Sequence, residues 1–168
     1  MAQRKDSFQF LKTLAQQPKA VETKGEKIAE AAFLGVMIQQ TKYHIPISRI
    51  REILPNPQVT PIGHTQDWLL GLVKVQGEIY TVVDITPLLE MPLLSGRGKF
   101  AIALSMPEGN YAILVSAVLG ITKLSDLKQT ATDDDYTITY QTPSEDKMTA
   151  LSVQSIVEAP ALANMSIF

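Results

Sequence analysis

No cysteine occurs among the 168 residues. That excludes a disulfide framework and any metal centre held by thiolates. Histidine is almost as scarce: the two, His44 and His64, show no HxH or HExxH spacing, so nothing marks an imidazole-built metal site. An excess of charge of one sign is missing too. Fifteen Lys and Arg stand against 17 Asp and Glu, a formal net charge of −2, which gives no electrostatic ground for binding nucleic acid. No apolar run approaches the ~18 residues of a membrane helix. The opening MAQRKDSFQF lacks the apolar core of a signal peptide. A cytoplasmic protein without direct membrane insertion is the expectation. Phosphate-binding loops are also absent: GLVKVQG, residues 71–77, has neither the P-loop lysine placement nor GxGxxG spacing.

What is present is β-forming apolar sequence. Hydrophobic residues make up 45% and charged residues 19%, a globular balance. The densest stretch is LLGLVKVQGEIYTVVDITPLL, residues 69–89. Its two runs, 69–76 and 78–85, flank Gly77 and are too short and too β-branched for helices. Gly77 marks a tight turn or bulge, and Gly71 a second place where backbone or a partner could come close. Val73, Val75, Val82 and Ile85 are the positions whose burial decides stability. Residues 85–89 read as one helical turn, with Thr86 as N-cap and Pro87 at the first helical position.

Along the rest of the chain, Phe8, Leu11, Leu14 and Ala15 fall at helical spacing. Asp6 and Gln9 resemble a capping box and Pro18 ends the pattern. The expectation is an amphipathic helix over 1–17 docked on its own domain; a detachable docking peptide is the sharper alternative. Residues 18–30 read as a linker. Strands are expected at 32–40 and 43–47, with a polar break at Thr41 and Lys42. A capped turn follows over 48–53, from which Ile50 and Glu52 project, and then a short edge strand at 58–62. Residues 99–105 and 110–115 flank a four-residue turn. Residues 118–124 add a strand with a bulge at Gly120, and 125–135 read as a polar loop. Strands at 136–141 and 147–153 precede a short helix at 152–159 stopped by Pro160. Roughly nine or ten short strands without long helices point to an all-β sandwich or barrel. The domain plan is therefore 1–30 helix and linker, 31–160 β domain, 161–168 tail.

Catalytic groups are few. The acidic triplet at 133–135 lacks the alternating ligand spacing of a calcium loop. Residues 96–99, Gly-Arg-Gly-Lys, read as a flexible loop. Trp68, the lone tryptophan, reads as a core or interface anchor. Asp84 ends an apolar strand. As a general base it would need a second carboxylate, and no motif supplies one; capping the following turn is the favoured role. No catalytic residue, cofactor or metal is expected. The alternative of another class is a small-ligand-binding or enzymatic β-barrel using Asp84.

Residues 45–85 resemble the core signature of CheW-domain proteins, adaptors of bacterial chemoreceptor arrays. The family shows a V-x-E-V/I turn, a threonine-containing loop, an aromatic position and then G-x-x-N-x-R-G-x-x-x-P-V-x-D-L. Here Ile50, Arg51, Glu52 and Ile53 are followed by Val59, Thr60, Pro61 and Ile62, then Trp68, Gly71, Gly77, Val82, Val83 and Asp84. Residues 111–115 and 118–124 resemble the second signature, G-x-x-V-D-x-V-x-x-V. Lys74 and Gln76 stand where the family has Asn and the receptor-associated Arg; Thr81 replaces the proline and Ser116 the second-signature Asp. The helix pattern DSFQFLKTLAQQ and the ending ALSVQSIVEAPALANMSI are similar to the PilI-type adaptors of type IV pilus systems.

The resemblance covers about residues 32–159. It implies two intertwined five-stranded SH3-like barrels around a shared hydrophobic core. It implies a non-catalytic scaffold joining the cytoplasmic tip of a methyl-accepting receptor to the regulatory domain of a CheA-type histidine kinase, with twitching motility as output. A flagellar-type chemotaxis adaptor is the alternative within the family. The partner-binding candidates are Ile50, Glu52, Gly71, Lys74, Gln76 and Gly77.

Overall fold

The computed structural model describes residues 27–63, 66–94, 98–130 and 135–163. The expected N-terminal helix, His64, Gly96 with Arg97, Asp133 with Asp134, and the tail from 164 onward lie outside the described residues. Among these residues ten strands follow one another: β1 (Lys27–Ile38), β2 (Thr41–Pro46), β3 (Ile50–Pro55), β4 (Leu69–Val75), β5 (Glu78–Val83), β6 (Phe100–Leu104), β7 (Tyr111–Val115), β8 (Ala117–Gln129), β9 (Thr137–Gln141) and β10 (Lys147–Leu151). Also among the described residues, two short helices follow β10, α1 (Val153–Val157) and α2 (Pro160–Ala163), and 3-10 turns occupy Ile47–Arg49 and Thr86–Leu89.

The strands form two five-stranded layers. One is a closed barrel in the order β1-β2-β10-β9-β8; the other is a sheet in the order β3-β6-β7-β5-β4. The barrel is thus built from both ends of the described chain, and the whole second sheet is inserted between β2 and β8. Closure leaves the barrel no free edge. The edges of the second sheet are β3 and β4. The chain between them partly covers β4 through a two-way bridge, Thr60 N–H to Leu72 O at 2.8 Å and Leu72 N–H to Thr60 O at 2.9 Å.

From Ala31 to Ile38, β1 has both faces covered, which explains the unbroken apolar run there. Ala31 and Phe33 face the barrel interior with Leu127, Tyr140, Met148 and Ala150. Leu34, Val36 and Ile38 face the other way, into a core shared with Val83, Ile102, Leu104, Ile113 and Val115 of the second sheet and with Val153, Ile156 and Leu162 of the helices. The second sheet buries its other face as Val73, Val75, Tyr80, Val82 and three alanines. All four positions tied to stability in the sequence, Val73, Val75, Val82 and Ile85, are buried.

Several expected boundaries move. The residues read as the end of a linker are already strand: β1 starts at Lys27, paired with Lys128 of β8. The polar break sits at Gln39 and Gln40, with Gln39 at φ 58, so Thr41 opens β2. The turn expected over 48–53 ends at Arg49, and Ile50 begins a strand laid against β6. The expected polar loop at 125–135 is strand as far as Gln129, because Leu127 and Gln129 turn inward while their polar neighbours face water. Asp126, at φ 54, breaks the alternation that would have shown this. Pro160 starts α2 rather than only stopping α1, as a first-turn proline can. Thr86 lies inside its 3-10 turn, with Ile85 at the cap position.

His44 sits on β2 against β10, 8% exposed, with the Phe33 ring edge-on at 6.2 Å. Its Nδ1 lies 3.4 Å from the Thr149 carbonyl oxygen. Burial lowers its pKa below 6.5; the Thr149 carbonyl opposes this and Lys42 adds to it. The unfolded chain therefore takes up a proton that the folded chain resists. This contribution is intact above the unfolded pKa and is lost progressively as pH falls from there through the lowered folded pKa. Between about pH 7.5 and about pH 5.5 the thermal midpoint is expected to fall, and to fall less in His44→Gln. Equal slopes for the two proteins would show that His44 titrates as it does in water.

Candidate functional site

The β4–β5 hairpin turns on two residues, Gln76 at φ 51 and Gly77 at φ 84. Positive φ at both makes a tight turn matched to strand twist. Counting back from it pairs Val75 with Glu78 and Lys74 with Ile79. Val73, Val75 and Tyr80 point inward. Lys74, Gln76 and Gly77 stand exposed with Ile79, a large apolar side chain left 45% open to solvent.

β3 reaches this hairpin through an irregularity in its own ladder. Ile50 pairs with Leu104 and Glu52 with Ala103, so Arg51 has no opposite residue. Such a bulge re-aims the extra side chain. The Arg51 Nη2 donates to Gln76 Oε1 at 3.2 Å and lies 3.9 Å from Glu78 Oε2. Both partners of the ion pair are solvent-exposed, so it orients more than it stabilises. Beneath it lies buried Tyr80, whose pKa is raised by burial, against Arg51 and with Glu78 and Glu52 adding to it. Arg51, Glu52, Gln76 and Glu78 thus gather around one phenol at the sheet's rim.

The six candidates separate. Glu52, Lys74, Gln76 and Gly77 fall on this rim. Ile50 is half-buried and packs against the shared core, so it holds β3 in place as well as flanking the rim. Gly71 is buried and filled from within: at φ 144, a Cβ there would lie 2.1 Å from the Thr60 carbonyl oxygen. The close approach expected at Gly71 is made by this chain's own backbone. Arg51 and Ile79 were not singled out. Ile79 was within reach, since a two-residue turn at 76–77 places it opposite Lys74. Arg51 had no such signal, because only the register of β3 reveals the bulge.

Asp84 is committed to structure. It is buried, and its Oδ1 accepts from the Thr86 N–H at 3.0 Å and the Thr86 hydroxyl at 2.6 Å, while Oδ2 accepts from the Leu94 N–H at 2.7 Å. These bonds cap the turn as its position suggested. They occupy both oxygens that the general-base reading would need free.

A closed five-stranded barrel and an inserted five-stranded sheet sharing one core, with a polar hairpin rim, define an all-β module of the double-barrel kind. The model of the CheW-like domain matches residues 32–159. The chain belongs to the CheW-like domain family. Among solved structures it is similar to the scaffolding protein TtCheW from Thermoanaerobacter tengcongensis, at 15% identity and a TM-score of 0.65, over 80% of this chain and 96% of that one. No curated protein matches. Among the described residues no helix is long and apolar enough to cross a membrane.

Proposed function

We propose that this protein is a non-catalytic adaptor coupling the tip of a methyl-accepting receptor to the regulatory domain of a CheA-type histidine kinase. Family membership supports the reading, and so does the description of TtCheW as a scaffolding protein. The observation that carries it to particular residues is the hairpin at this rim, where Lys74 and Ile79 are cross-strand partners and both stand exposed next to the turn at Gln76 and Gly77. An exposed apolar side chain opposite a lysine, on a hairpin held by a tight turn and by the Arg51–Gln76 bond, is suited to a specific protein contact. We assign the kinase contact to this rim. Lys74 and Gln76, at the family's Asn and Arg positions, retune receptor binding. Twitching driven by type IV pili is the output suggested by the two chain ends.

The test is a pull-down of the regulatory domain of a CheA-type kinase encoded near this gene. Gly71→Asp would not serve, since its Cβ alone collides with Thr60, and Ile50→Glu would put a charge against the core. Lys74→Glu and Ile79→Glu alter exposed positions and are expected to keep the fold. Each is expected to weaken capture at least tenfold, an effect of about 1.4 kcal/mol. Wild-type protein that captures neither a kinase regulatory domain nor a receptor tip would overturn the adaptor reading. Undiminished capture by both variants would move the kinase face elsewhere. Loss of twitching with swimming intact, in a strain lacking the protein, would assign the pilus output; the reverse would assign the flagellar one.

A further inference from the structure

The closed barrel is laced unevenly. β1 pairs with β2 from Phe33 to Ile38 and with β8 from Lys27 to Met37. β9 and β10 pair with each other along their whole lengths, and their turn closes on itself through the Thr142 N–H, which donates to the Asp146 carbonyl at 2.9 Å. The seams that join this hairpin to the barrel are thin. β10 meets β2 at one register pair, Ala150 with His44. β9 meets β8 at two, Gln141 with Lys128 and Tyr140 with Gln129, extended by the Thr130 N–H donating to the Thr139 carbonyl at 2.8 Å. The base is held more firmly. There the Ser152 N–H donates to the Tyr136 carbonyl at 2.8 Å, and Leu151 belongs to the shared core.

Each thin seam carries a buried polar side chain aimed into the barrel. Tyr43 and Ile45 face the shared core, so His44 between them points the other way, toward Phe33. Gln129 shares a face with its register partner Tyr140, which lies inside the barrel with Phe33, Leu127 and Met148. Among the described residues, Gln129 Oε1 is the one buried side-chain polar atom without a hydrogen-bond partner. A buried carbonyl left unpaired is a cost that contact with water relieves. We propose that the β9–β10 hairpin swings open about its base as one unit, with β1, β2, β8 and the shared core left in place, and that acid drives the opening through His44. Opening of this kind, by a contiguous unit with few ties to its neighbours, needs far less than global unfolding.

The groups around the imidazole fix the direction of the acid response. Lys42 stands on its own strand, β10 presents the Thr149 carbonyl, and β1 presents the Phe33 ring, behind which lies the Tyr140 phenol of β9. Burial pushes the pKa of that phenol up to about 12, so it stays neutral. Burial also lowers the pKa of His44 below 6.5, with the Thr149 carbonyl opposing and Lys42 adding to it. Water restores the ordinary value once the hairpin is open. The open form therefore takes up a proton that the closed form resists. Below about pH 6.5 opening grows by up to about tenfold per pH unit, until the lowered pKa is reached. The open barrel frees the edges of β2 and β8 and the apolar face of Ala31, Phe33 and Leu127. The inference does not rest on the adaptor reading.

Hydrogen exchange of the full-length protein, followed by mass spectrometry and corrected for intrinsic rates, tests this. At about pH 7.5 the amides of residues 138–150 are expected to exchange at least tenfold faster than those of the β1–β8 ladder. Between about pH 7.5 and about pH 5.5 their opening should grow severalfold, while the β4–β5 hairpin stays unchanged. His44→Phe, which keeps an apolar ring in the barrel, should abolish the acid response, and His44→Gln gives the same reading without an added ring. Hairpin amides as protected as the β1–β8 ladder would overturn the proposal. So would acid that loosens all strands together, or a response that survives in both variants. No kinase or receptor enters the assay, so its failure and that of the adaptor reading are separable.

Discussion

Val82→Asp is expected to abolish cooperative folding. Val82 is fully buried on β5, between Gly71 of β4 and Ala112 of β7. Its side chain lies among Val73, Val75, Tyr80, Ala101, Ala103 and Ala112. A carboxylate there would meet none of the donors that hold Asp84 two positions further on. Burying such a group unpaired costs on the order of 4 kcal/mol or more, against a total stability of about 5–15 kcal/mol for a domain. Val82→Ala removes volume without adding charge and should cost about 2 kcal/mol. The check is a thermal melt followed by circular dichroism, with the soluble fraction measured beside it. The alanine variant should melt cooperatively at a lower temperature, and the aspartate variant should show no transition. A soluble Val82→Asp protein with a cooperative melt would mean that Val82 does not face this core.

Why the strands could be read in the sequence and their irregularities could not follows from where information sits. Runs such as FAIAL and YAILV are apolar at every position because both faces of β6 and β7 are covered. A short, uninterrupted apolar run therefore declares a strand by itself. β8 does not, because most of its length is exposed to water. Its polar residues match those of a loop until β1 and β9 supply partners. Bulges are harder still. Arg51 on β3, Leu70 on β4 and Leu119 on β8 each lack an opposite residue, and a register is a property of two segments, not of one. Gly71 illustrates the opposite case. Its need for close approach was legible, but whether a partner or Thr60 makes that approach depends on the fold alone.

The largest effect expected from a single polar group belongs to Asp84. The end of β5, the 3-10 turn and residues 91–94 converge on its carboxylate. The last of these segments is also tied to the barrel: the Gln39 side chain donates to the Pro92 carbonyl at 2.9 Å, and the Gln39 N–H donates to the Ser116 hydroxyl at 3.1 Å. Asp84→Ala would leave the Thr86 and Leu94 amides without an acceptor, in a region where Thr86 and Leu94 are fully buried. Hydrogen bonds to a charged acceptor contribute roughly 1.5–3 kcal/mol each, so a loss on the order of 3 kcal/mol or more is expected. Asp84→Asn separates shape from chemistry. An amide keeps the size but accepts through only one end, so its NH2 must face a backbone N–H at either Thr86 or Leu94. It should therefore recover little of the loss. Urea unfolding of the three proteins measures this, and hydrogen exchange should show the Thr86 and Leu94 amides opening before the β1–β8 ladder. An Asp84→Asn protein as stable as wild type would show that one oxygen suffices. That would return the second oxygen to other chemistry and reopen the alternative of a ligand site at the end of β5.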